Sequence, residues 1–370
     1  MLCGRGPRKG KGGRTVAFKP EKIFIEDGLQ DSAIALRAGE VAPRAGVTVF
    51  DDLPAVLAHF ERRDAAEAKK SLVVARRAGG FVKIFPTGPG LTPSNWRYFV
   101  PAIGCPADCS YCFLQTYHLA SVPVVFADQS AMLAEIEAAS REVSGGYFYG
   151  GELCDDLMLE PILGAVGPLV SLFRAMPKAT LELRTKSDEI DALLAVGGVP
   201  PNVIISWTLT PAETARLSES GAPGPEERIG AARQAQRHGY RVGLRLDPIA
   251  LEGDWCEAYR GLFERISSAL DPALVESVHL GCVRYPPALK ALVARRFGRT
   301  APFIGEAVVS SDGKFRYPRP LRTAAYAAIA RMAADWAPGV PVKLVMETPA
   351  VSTDFKYLAA QPQKSPNGQE

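Results

Sequence analysis

The feature that most constrains the fold is a regular alternation of apolar, β-branched runs with amphipathic helical stretches, beginning near residue 98. Such alternation is typical of parallel sheets whose strands are joined by helices. Six strand candidates follow one another along the chain: 98–104, 146–151, 180–187, 202–209, 241–249 and 275–283. Six strand–helix units predict a parallel sheet that curls into an incomplete barrel.

The segments between and after these strands carry helix signals. Residues 129–143 place apolar side chains three and four positions apart, and residues 223–239 start near a Pro and end at a Gly. A further helix is expected near 321–336 and a further strand near 341–346. The predicted fold class is therefore α/β, a partial (β/α)6 TIM-type barrel with a small N-terminal α/β lobe.

The rest of the chain divides around this barrel. Residues 1–14 are Gly-rich and basic, which predicts a disordered tail. Residues 15–97 contain short strand-like runs and predict the α/β lobe. The barrel with its C-terminal extension is expected at 98–346, and a C-terminal tail at 347–370.

Composition narrows the class of protein only in part. A hydrophobic content of 47% can form a large core, and a net charge of +3 excludes no class of partner. No apolar run reaches membrane-spanning length, and the N-terminus lacks the apolar core of a secretory signal. The odd count of seven cysteines argues against a closed disulfide framework and favours a reducing cytoplasm.

Three of the cysteines, Cys105, Cys109 and Cys112, lie within the short sequence GCPADCSYCFLQT. Structural zinc sites use four ligands, commonly in two separated pairs, and ferredoxin-type loops have another spacing and a fourth cysteine. The remaining cysteines are scattered singly. Three thiolates on one loop can hold a [4Fe-4S] cluster with one iron left open, whereas ordinary core thiols fit a Gly- and Pro-containing loop poorly.

Other polar features also follow the carboxyl ends of predicted strands, where βα barrels place their reactive groups. They are, in chain order, the cysteine loop, the Gly150–Gly151–Glu152 turn, Lys186, Asp247 and Arg284. We therefore expect one rim of the barrel to carry all of them.

The spacing Cys-x3-Cys-x2-Cys, with Tyr111 before the last cysteine, resembles the radical S-adenosylmethionine superfamily. Together with the segments GELCDD, LELRTKS, IISWTLTP, ERIGAARQAQRHGYRVGLRLDPI and GCVRYP, it resembles the spore photoproduct lyase-like family over nearly the whole chain. The resemblance implies two cofactors, a [4Fe-4S] cluster and S-adenosyl-L-methionine. It also implies that a 5′-deoxyadenosyl radical abstracts hydrogen from a methylene-bridged thymine dimer in DNA, and that a cysteine then returns a hydrogen atom.

The resemblance also implies roles for single residues. Cys105, Cys109 and Cys112 correspond to the cluster ligands. The residues that correspond to cofactor contacts are Gly150, Gly151 and Glu152 at the amino group, Lys186 at the carboxylate, Ser206, and Tyr111 near the adenosine. Simple packing is the alternative for Tyr111, and a solvated side chain is the alternative for Lys186.

The hydrogen-atom relay is where the sequence departs from the family. Tyr111 matches one relay tyrosine, but the other corresponds to Phe113, which has no hydroxyl. The family's donor cysteine lies three residues before an aspartate, and alignment on Asp155 puts Glu152 there. Cys154 lies close by and is the candidate donor, with a buried structural thiol as the alternative.

Alignment on Asp156 instead would put Leu153 at the donor position, again beside Cys154. Successive side chains of an extended segment point to opposite faces, so a one-residue offset can turn a thiol away from a substrate. These departures concern the repair step and leave the radical chemistry intact.

Residues 314–322, KFRYPRPLR, interleave cations with aromatic side chains. Cations for phosphates and aromatics for stacking are typical of nucleic-acid surfaces, although a solvated basic loop has the same composition. The candidate DNA contacts are Arg284, Tyr285, Lys314, Arg316 and Arg319.

The sequence thus predicts a cytoplasmic radical S-adenosylmethionine lyase that acts on a lesion or base in DNA. DNA and an electron donor such as flavodoxin or ferredoxin are the expected partners, without a membrane. Two alternatives stay open: the same radical chemistry on a non-DNA substrate, and a non-catalytic iron–sulfur or redox-sensing protein.

Overall fold

The computed structural model describes residues 18–85, 95–117, 122–298 and 305–359. The predicted basic tail at 1–14 lies outside these ranges. The elements up to the cysteine loop are β1 (Lys22–Glu26), α1 (Ala33–Val41), β2 (Gly46–Phe50), α2 (Leu53–Glu61), α3 (Ala65–Ala68), β3 (Ser71–Ala75), β4 (Val82–Ile84), β5 (Trp96–Phe99) and β6 (Ala102–Ile103).

The middle of the chain supplies the three central strands of the barrel sheet. Its elements are β7 (Asp108–Cys109), β8 (Val124–Phe126), α4 (Gln129–Glu142), β9 (Gly146–Tyr149), α5 (Glu160–Leu163), α6 (Val166–Ala175), β10 (Ala179–Thr185), α7 (Asp191–Leu194), β11 (Val203–Thr208), α8 (Ala212–Ser218), β12 (Glu219–Ser220) and α9 (Pro225–His238). The remaining elements are β13 (Arg241–Ile249), α10 (Trp255–Ala269), β14 (Val275–Cys282), β15 (Arg284–Tyr285), α11 (Pro287–Phe297), β16 (Val308–Val309), β17 (Phe315–Arg316), α12 (Arg319–Trp336), β18 (Val342–Leu344) and α13 (Pro349–Ala359).

The larger sheet has the strand order β18-β14-β13-β11-β10-β9-β5-β4. Every described pair in it is parallel except β4 with β5, so the carboxyl ends of the other strands lie along one edge. The strands predicted at 146–151, 180–187, 202–209, 241–249 and 275–283 form β9, β10, β11, β13 and β14. The predicted α/β partial barrel is thus confirmed.

The smaller sheet has the strand order β2-β1-β3-β8-β6. It includes strands that lie beyond residue 97, where the predicted N-terminal lobe ends. Strand β4, before that point, pairs in the barrel sheet, whereas β6 and β8, after it, pair in the smaller sheet. The single strand predicted at 98–104 is therefore wrong. It is two strands in different sheets because the chain turns at Val100 and Pro101, and proline has no N–H to extend a ladder.

The predicted tail at 347–370 is also wrong for its first part, since Pro349–Ala359 form α13. This helix packs against α12, with Val351 fully buried and the ring of Phe355 set edge-on to Tyr326 at 6.4 Å. Apolar residues four positions apart give α13 its buried face, a pattern too short to stand out in the sequence.

Helix α9 forms where the sequence predicts it, with Pro225 in its first turn and Gly239 in the left-handed conformation at its end. Its inner face is not wholly apolar, because Arg228 on it is fully buried. Within the described ranges, no helix has the length and apolarity that crossing a membrane requires.

Candidate cluster and cofactor site

The three candidate cluster ligands lie on the loop that leaves β6. Cys109 lies in β7, opposite Glu219 of β12, and Cys112 precedes a 3-10 turn at Phe113–Thr116. The three cysteines share one small cluster with Ala107, Tyr111, Met158 and Ala222. The loop therefore brings three sulfur donors into one largely buried environment.

Burial controls the protonation of these thiols. Burial raises the pKa of Cys105 to about 12, and it also raises the pKa of Cys109. The neighbouring Cys112 and Cys105 raise the pKa of Cys109 further. The ammonium of Lys69 opposes the rise at Cys105, and that of Lys186 opposes it at Cys109. Binding of a metal by these thiols would therefore require that their protons be displaced.

The donor set fits an iron–sulfur cluster, since it consists of thiols alone and thiolates are the preferred ligands of such clusters. Among the described residues, no three His, Cys, Asp or Glu side chains are arranged to hold a single metal ion. The three thiols nevertheless lie close enough to affect one another's protonation. Cys112 raises the pKa of Cys105, and both of them raise the pKa of Cys109.

Tyr111 stabilises the cysteine loop through a buried hydrogen-bond network. Its hydroxyl donates a hydrogen bond to Glu219, whose other oxygen pairs with the guanidinium of Arg228. Thr210 also donates to Glu219, at 2.8 Å, and Arg228 further donates to the carbonyl oxygen of Thr208 at 3.1 Å. Burial alone would raise the pKa of Glu219, but Arg228 and Lys186 outweigh burial and hold that pKa below its usual value.

Lys186, which follows β10, lies over the same loop. Its ammonium is 5.6 Å from the centre of the Tyr111 ring. Burial lowers the pKa of Lys186, but Cys109 and Glu219 more than compensate, so the pKa is raised and the side chain stays charged. The predicted proximity of Lys186 to the cysteine loop is thus present in the structure.

The Gly150–Gly151–Glu152 turn ends β9 and needs its glycines. A Cβ on Gly150 would lie 2.0 Å from a carboxylate oxygen of Asp156, and Gly151 has a φ of +72°. Glu152 is partly exposed and raises the pKa values of Tyr98 and Tyr149 beyond the rise due to burial. The carboxylate therefore faces the barrel mouth beside two phenols.

Two consecutive aspartates hold this turn against β10. Asp155 accepts hydrogen bonds from the hydroxyl of Thr185 and the backbone N–H of Lys186, both at 2.7 Å, and Asp156 accepts one from the N–H of Arg184 at 2.7 Å. From the sequence, these aspartates are predicted to do no more than mark the alignment with the family. The signal was present, since two adjacent acidic residues after a buried strand need partners.

Ser206 is buried, and its hydroxyl donates to Glu182 at 2.6 Å, in the interior of the barrel. Burial alone would raise the pKa of Glu182, but Arg184 and Arg245 outweigh it and hold that pKa below its usual range. Arg184 contacts Glu182 at 2.7 Å, and Arg245 contacts it at 3.4 Å and His279 at 2.6 Å. This charged interior was missed, although Glu and Arg at alternate positions of a buried strand indicate it.

One hydroxyl in this interior lacks a partner. Tyr149 is only 1% exposed, and its hydroxyl makes no hydrogen bond within the described residues. The guanidinium of Arg184 stacks on its ring at 3.7 Å. The interior network is therefore incomplete on the side that faces Glu152.

Cys154 lies in the main hydrophobic core and is 6% exposed. Burial raises the pKa of its thiol well above the usual value. Phe113, the position without the relay hydroxyl, is 38% exposed and packs edge-on against Tyr117 at 5.8 Å. The buried setting of Cys154 agrees with a structural thiol, and its role as hydrogen donor stays a prediction.

The segment 314–322 does not form a continuous basic surface. Arg316 is buried and paired with Asp312, and it also donates to the carbonyl oxygen of Met346 at 3.2 Å. A buried guanidinium requires fixed partners, so Arg316 is not presented at the surface in this structure. Its role as a DNA contact stays a prediction. Lys314 is partly exposed at 3.8 Å from Asp312.

Of the other predicted DNA contacts, Arg319 is exposed and paired with Asp354 at 2.6 Å. Arg284 forms a bidentate ion pair with Asp247, with N–O distances of 2.7 and 3.2 Å. Tyr285 is buried, and its ring stacks on that of Phe315 at 5.6 Å.

The chain is similar to known proteins in both sequence and fold. The family model described as spore photoproduct lyase matches residues 51–307. The spore photoproduct lyase of Clostridium acetobutylicum is 25% identical over 265 residues, covering 70% of this chain and 75% of that protein. That of a Geobacillus species is 23% identical over 317 residues, covering 82% and 88%.

Solved structures show the same fold. A spore photoproduct lyase complexed with dinucleoside spore photoproduct superposes with a TM-score of 0.76 at 18% identity, covering 89% of this chain and 100% of that chain. A variant with bound AdoMet and the same dinucleoside superposes with a TM-score of 0.75, also at 18% identity and with the same coverage. The family expected from the cysteine spacing is confirmed, and the chain belongs to the spore photoproduct lyase family.

Proposed function

We propose that this protein is a radical S-adenosylmethionine lyase that acts on a photoproduct or base in DNA. The observation that carries the proposal is the loop at the barrel's carboxyl edge, which brings together three thiols, one buried and two half-buried, beside Lys186. Cys105, Cys109 and Cys112 would hold a [4Fe-4S] cluster, which when bound supplies one electron for reductive cleavage of the cofactor's sulfonium.

The chain's own residues provide the binding energy and orientation of the cofactor. Lys186 stays charged and lies where it can pair with a carboxylate, and Glu152 faces the barrel mouth where it can accept from an ammonium. The closely packed Gly150–Gly151 backbone brings Glu152 to this position. Ser206 is committed to Glu182, so it supports the barrel wall behind the cofactor.

The first experiment is anaerobic reconstitution with iron and sulfide, followed by dithionite and S-adenosyl-L-methionine. We expect a brown protein that forms 5′-deoxyadenosine, as measured by liquid chromatography with mass spectrometry. Cys112→Ala should lose the iron and the product, whereas Cys256→Ala, a thiol outside the loop, should retain both. An iron-free wild-type protein, or one that forms no 5′-deoxyadenosine, would contradict the proposal.

The substrate is tested separately, with ultraviolet-irradiated DNA and mass spectrometry of the products. We expect loss of a thymine photoproduct, dependent on the cofactor and on a low-potential donor of the flavodoxin or ferredoxin type. Lys314→Ala with Arg319→Ala should weaken DNA binding, because these are the two partly or fully exposed cations of the segment. If this double variant binds irradiated DNA as the wild type does, the segment is not part of the DNA surface.

A second candidate function is the same radical chemistry on a different substrate, favoured by the position of Cys154. Its thiol lies in the main core, and the family's donor cysteine corresponds to Glu152 or to Leu153, according to which aspartate is used for the alignment. Unchanged repair by Cys154→Ala would remove this thiol from the mechanism. Formation of 5′-deoxyadenosine without any change in irradiated DNA would favour the second candidate.

A further inference from the structure

The cysteine loop is held from outside by a lysine of the N-terminal lobe. Lys69, at the end of α3, donates to the carbonyl oxygen of Cys105 at 2.8 Å and to that of Ala107 at 3.0 Å. Its side chain is only 10% exposed, although lysine is among the residues most rarely buried. The contacts that offset the cost of desolvating this ammonium are with the cysteine loop, at Cys105, Ala107 and Asp108.

Charges of both signs lie around this lysine. Asp108 lies 3.9 Å from the Lys69 ammonium, but Arg296 of α11 also pairs with Asp108, at 2.8 Å. Two cations therefore share one carboxylate on the outer side of the loop. The Lys69 ammonium lies directly beside the peptide groups that carry Cys105 and Ala107, where it opposes the effect of the Asp155 carboxylate on Cys105.

We propose that Lys69 is a positioning residue that raises the reduction potential of the cluster held by this loop. The inference rests on the proposed function, because it concerns the cluster that the three cysteines would bind. Reduction adds one negative charge to a cluster, and a nearby cation stabilises the more negative state. Hydrogen bonds from the ammonium to the loop carbonyls act in the same direction and fix the loop backbone.

The chain offers a matched control in the next residue. Lys70 is also a lysine at the end of α3, but its side chain is 58% exposed and pairs with Glu21 at 3.3 Å. Substitution of either residue removes one positive charge from the protein, and only Lys69 contacts the cysteine loop. A difference between the two variants therefore reports the contact rather than the net charge.

The experiment is a redox titration of the reconstituted full-length protein, followed by electron paramagnetic resonance of the reduced cluster. We expect Lys69→Gln to lower the equilibrium constant for reduction about tenfold, a shift of about 59 mV to more negative potential for one electron. Lys69→Arg should restore most of the wild-type potential, and Lys70→Gln should leave it unchanged.

The outcomes separate this inference from the proposed function. A wild-type protein that binds no cluster contradicts the proposed function. A cluster whose potential is the same in wild type and Lys69→Gln overturns the present inference alone, as does an equal shift in Lys70→Gln. If Lys69→Gln holds no iron, retention of iron by Lys69→Arg supports a requirement for the cation, and loss of iron from both variants overturns the inference.

Discussion

Two buried ionic networks lie on either side of the candidate site, and they differ in completeness. Beneath the cysteine loop, Glu219 is paired with Arg228 and receives hydrogen bonds from Tyr111 and Thr210. In the barrel interior, Glu182 is paired with two arginines, but the adjacent hydroxyl of Tyr149 has no partner among the described residues.

This difference in hydrogen bonding distinguishes a network that only stabilises the fold from one that can also bind a ligand. A buried polar group without a partner costs free energy, so a fully satisfied network stabilises one loop conformation, whereas an incomplete one is completed by a ligand or by water. We therefore expect the Glu219 network to hold the cysteine loop, and the Tyr149 hydroxyl to be the group of the interior that a bound molecule or water completes.

The largest effect is expected for Arg228→Met. Removal of a fully buried guanidinium leaves Glu219 as an unpaired charge, which should lower the free energy of unfolding by about 3–5 kcal/mol. Urea unfolding measures the loss, and iron content after reconstitution should fall with it. Arg216→Met is the control, because its pair with Glu213 is exposed and should contribute nothing measurable. Equal stability of Arg228→Met and wild type would break the contrast.

A third buried carboxylate sharpens the contrast because its hydrogen bonds within the described ranges come from backbone N–H groups, while the guanidinium of Arg37 acts on it only as a nearby charge. Burial raises the pKa of Glu160 to about 7, and its two oxygens accept from the N–H groups of Ala165 and Val166 at 3.0 Å. The folded protein therefore binds a proton more tightly than the unfolded chain, so stability is highest below the unfolded pKa and falls as pH rises towards 7.

The fall expected from Glu160 between pH 4.5 and 7 is at most about 3 kcal/mol. Urea unfolding across this range should show a flatter profile for Glu160→Gln than for wild type, whatever the absolute stability of the variant. Parallel profiles would show that Glu160 keeps an ordinary pKa in spite of its burial.

An intermediate effect is expected for Thr210→Val, which removes one hydrogen bond from the complete network with little change in shape. Because the acceptor Glu219 is charged and the hydroxyl is buried, the free energy of unfolding should fall by about 1.5–3 kcal/mol. Thermal or urea unfolding measures it. A neutral result would mean that the network beneath the loop tolerates a missing donor.

The smallest effect is expected for Tyr149→Phe. Its hydroxyl has no partner, so the free energy of unfolding without ligand should stay the same or rise by up to about 1 kcal/mol. The stabilisation that saturating S-adenosyl-L-methionine gives the reconstituted protein should decrease in this variant. A loss of ligand-free stability as large as that of Thr210→Val would remove the distinction between the networks.

The sequence predicted the parts of the molecule that depend on local pattern. The parallel strands, α9 and the cysteine loop were all predictable, because alternation, capping residues and ligand spacing are written over short segments. The split after Phe99 and helix α13 were not, since a two-residue turn and a short apolar repeat give weak signals.

The supporting residues of the site were beyond the reach of the sequence for a different reason. Lys69 contacts a carbonyl group 36 positions later in the chain, and Arg296 contacts Asp108 across 188 positions. Nothing local distinguishes these side chains from solvated ones such as Lys70. Arg316 is the converse case, because its local composition resembles a nucleic-acid surface while tertiary packing buries it.

The strand exchange between the two sheets has a consequence for how the metal centre could be lost. Strands β6 and β8, which flank the cysteine loop in the chain, both belong to the smaller sheet, while Lys186 and Glu219 reach the loop from the barrel side. The cysteine loop is therefore held from two sides, by the smaller sheet and by residues of the barrel. A truncation that deletes the N-terminal lobe would remove one of these two supports, so a cluster bound to the three cysteines would be lost before the barrel unfolded.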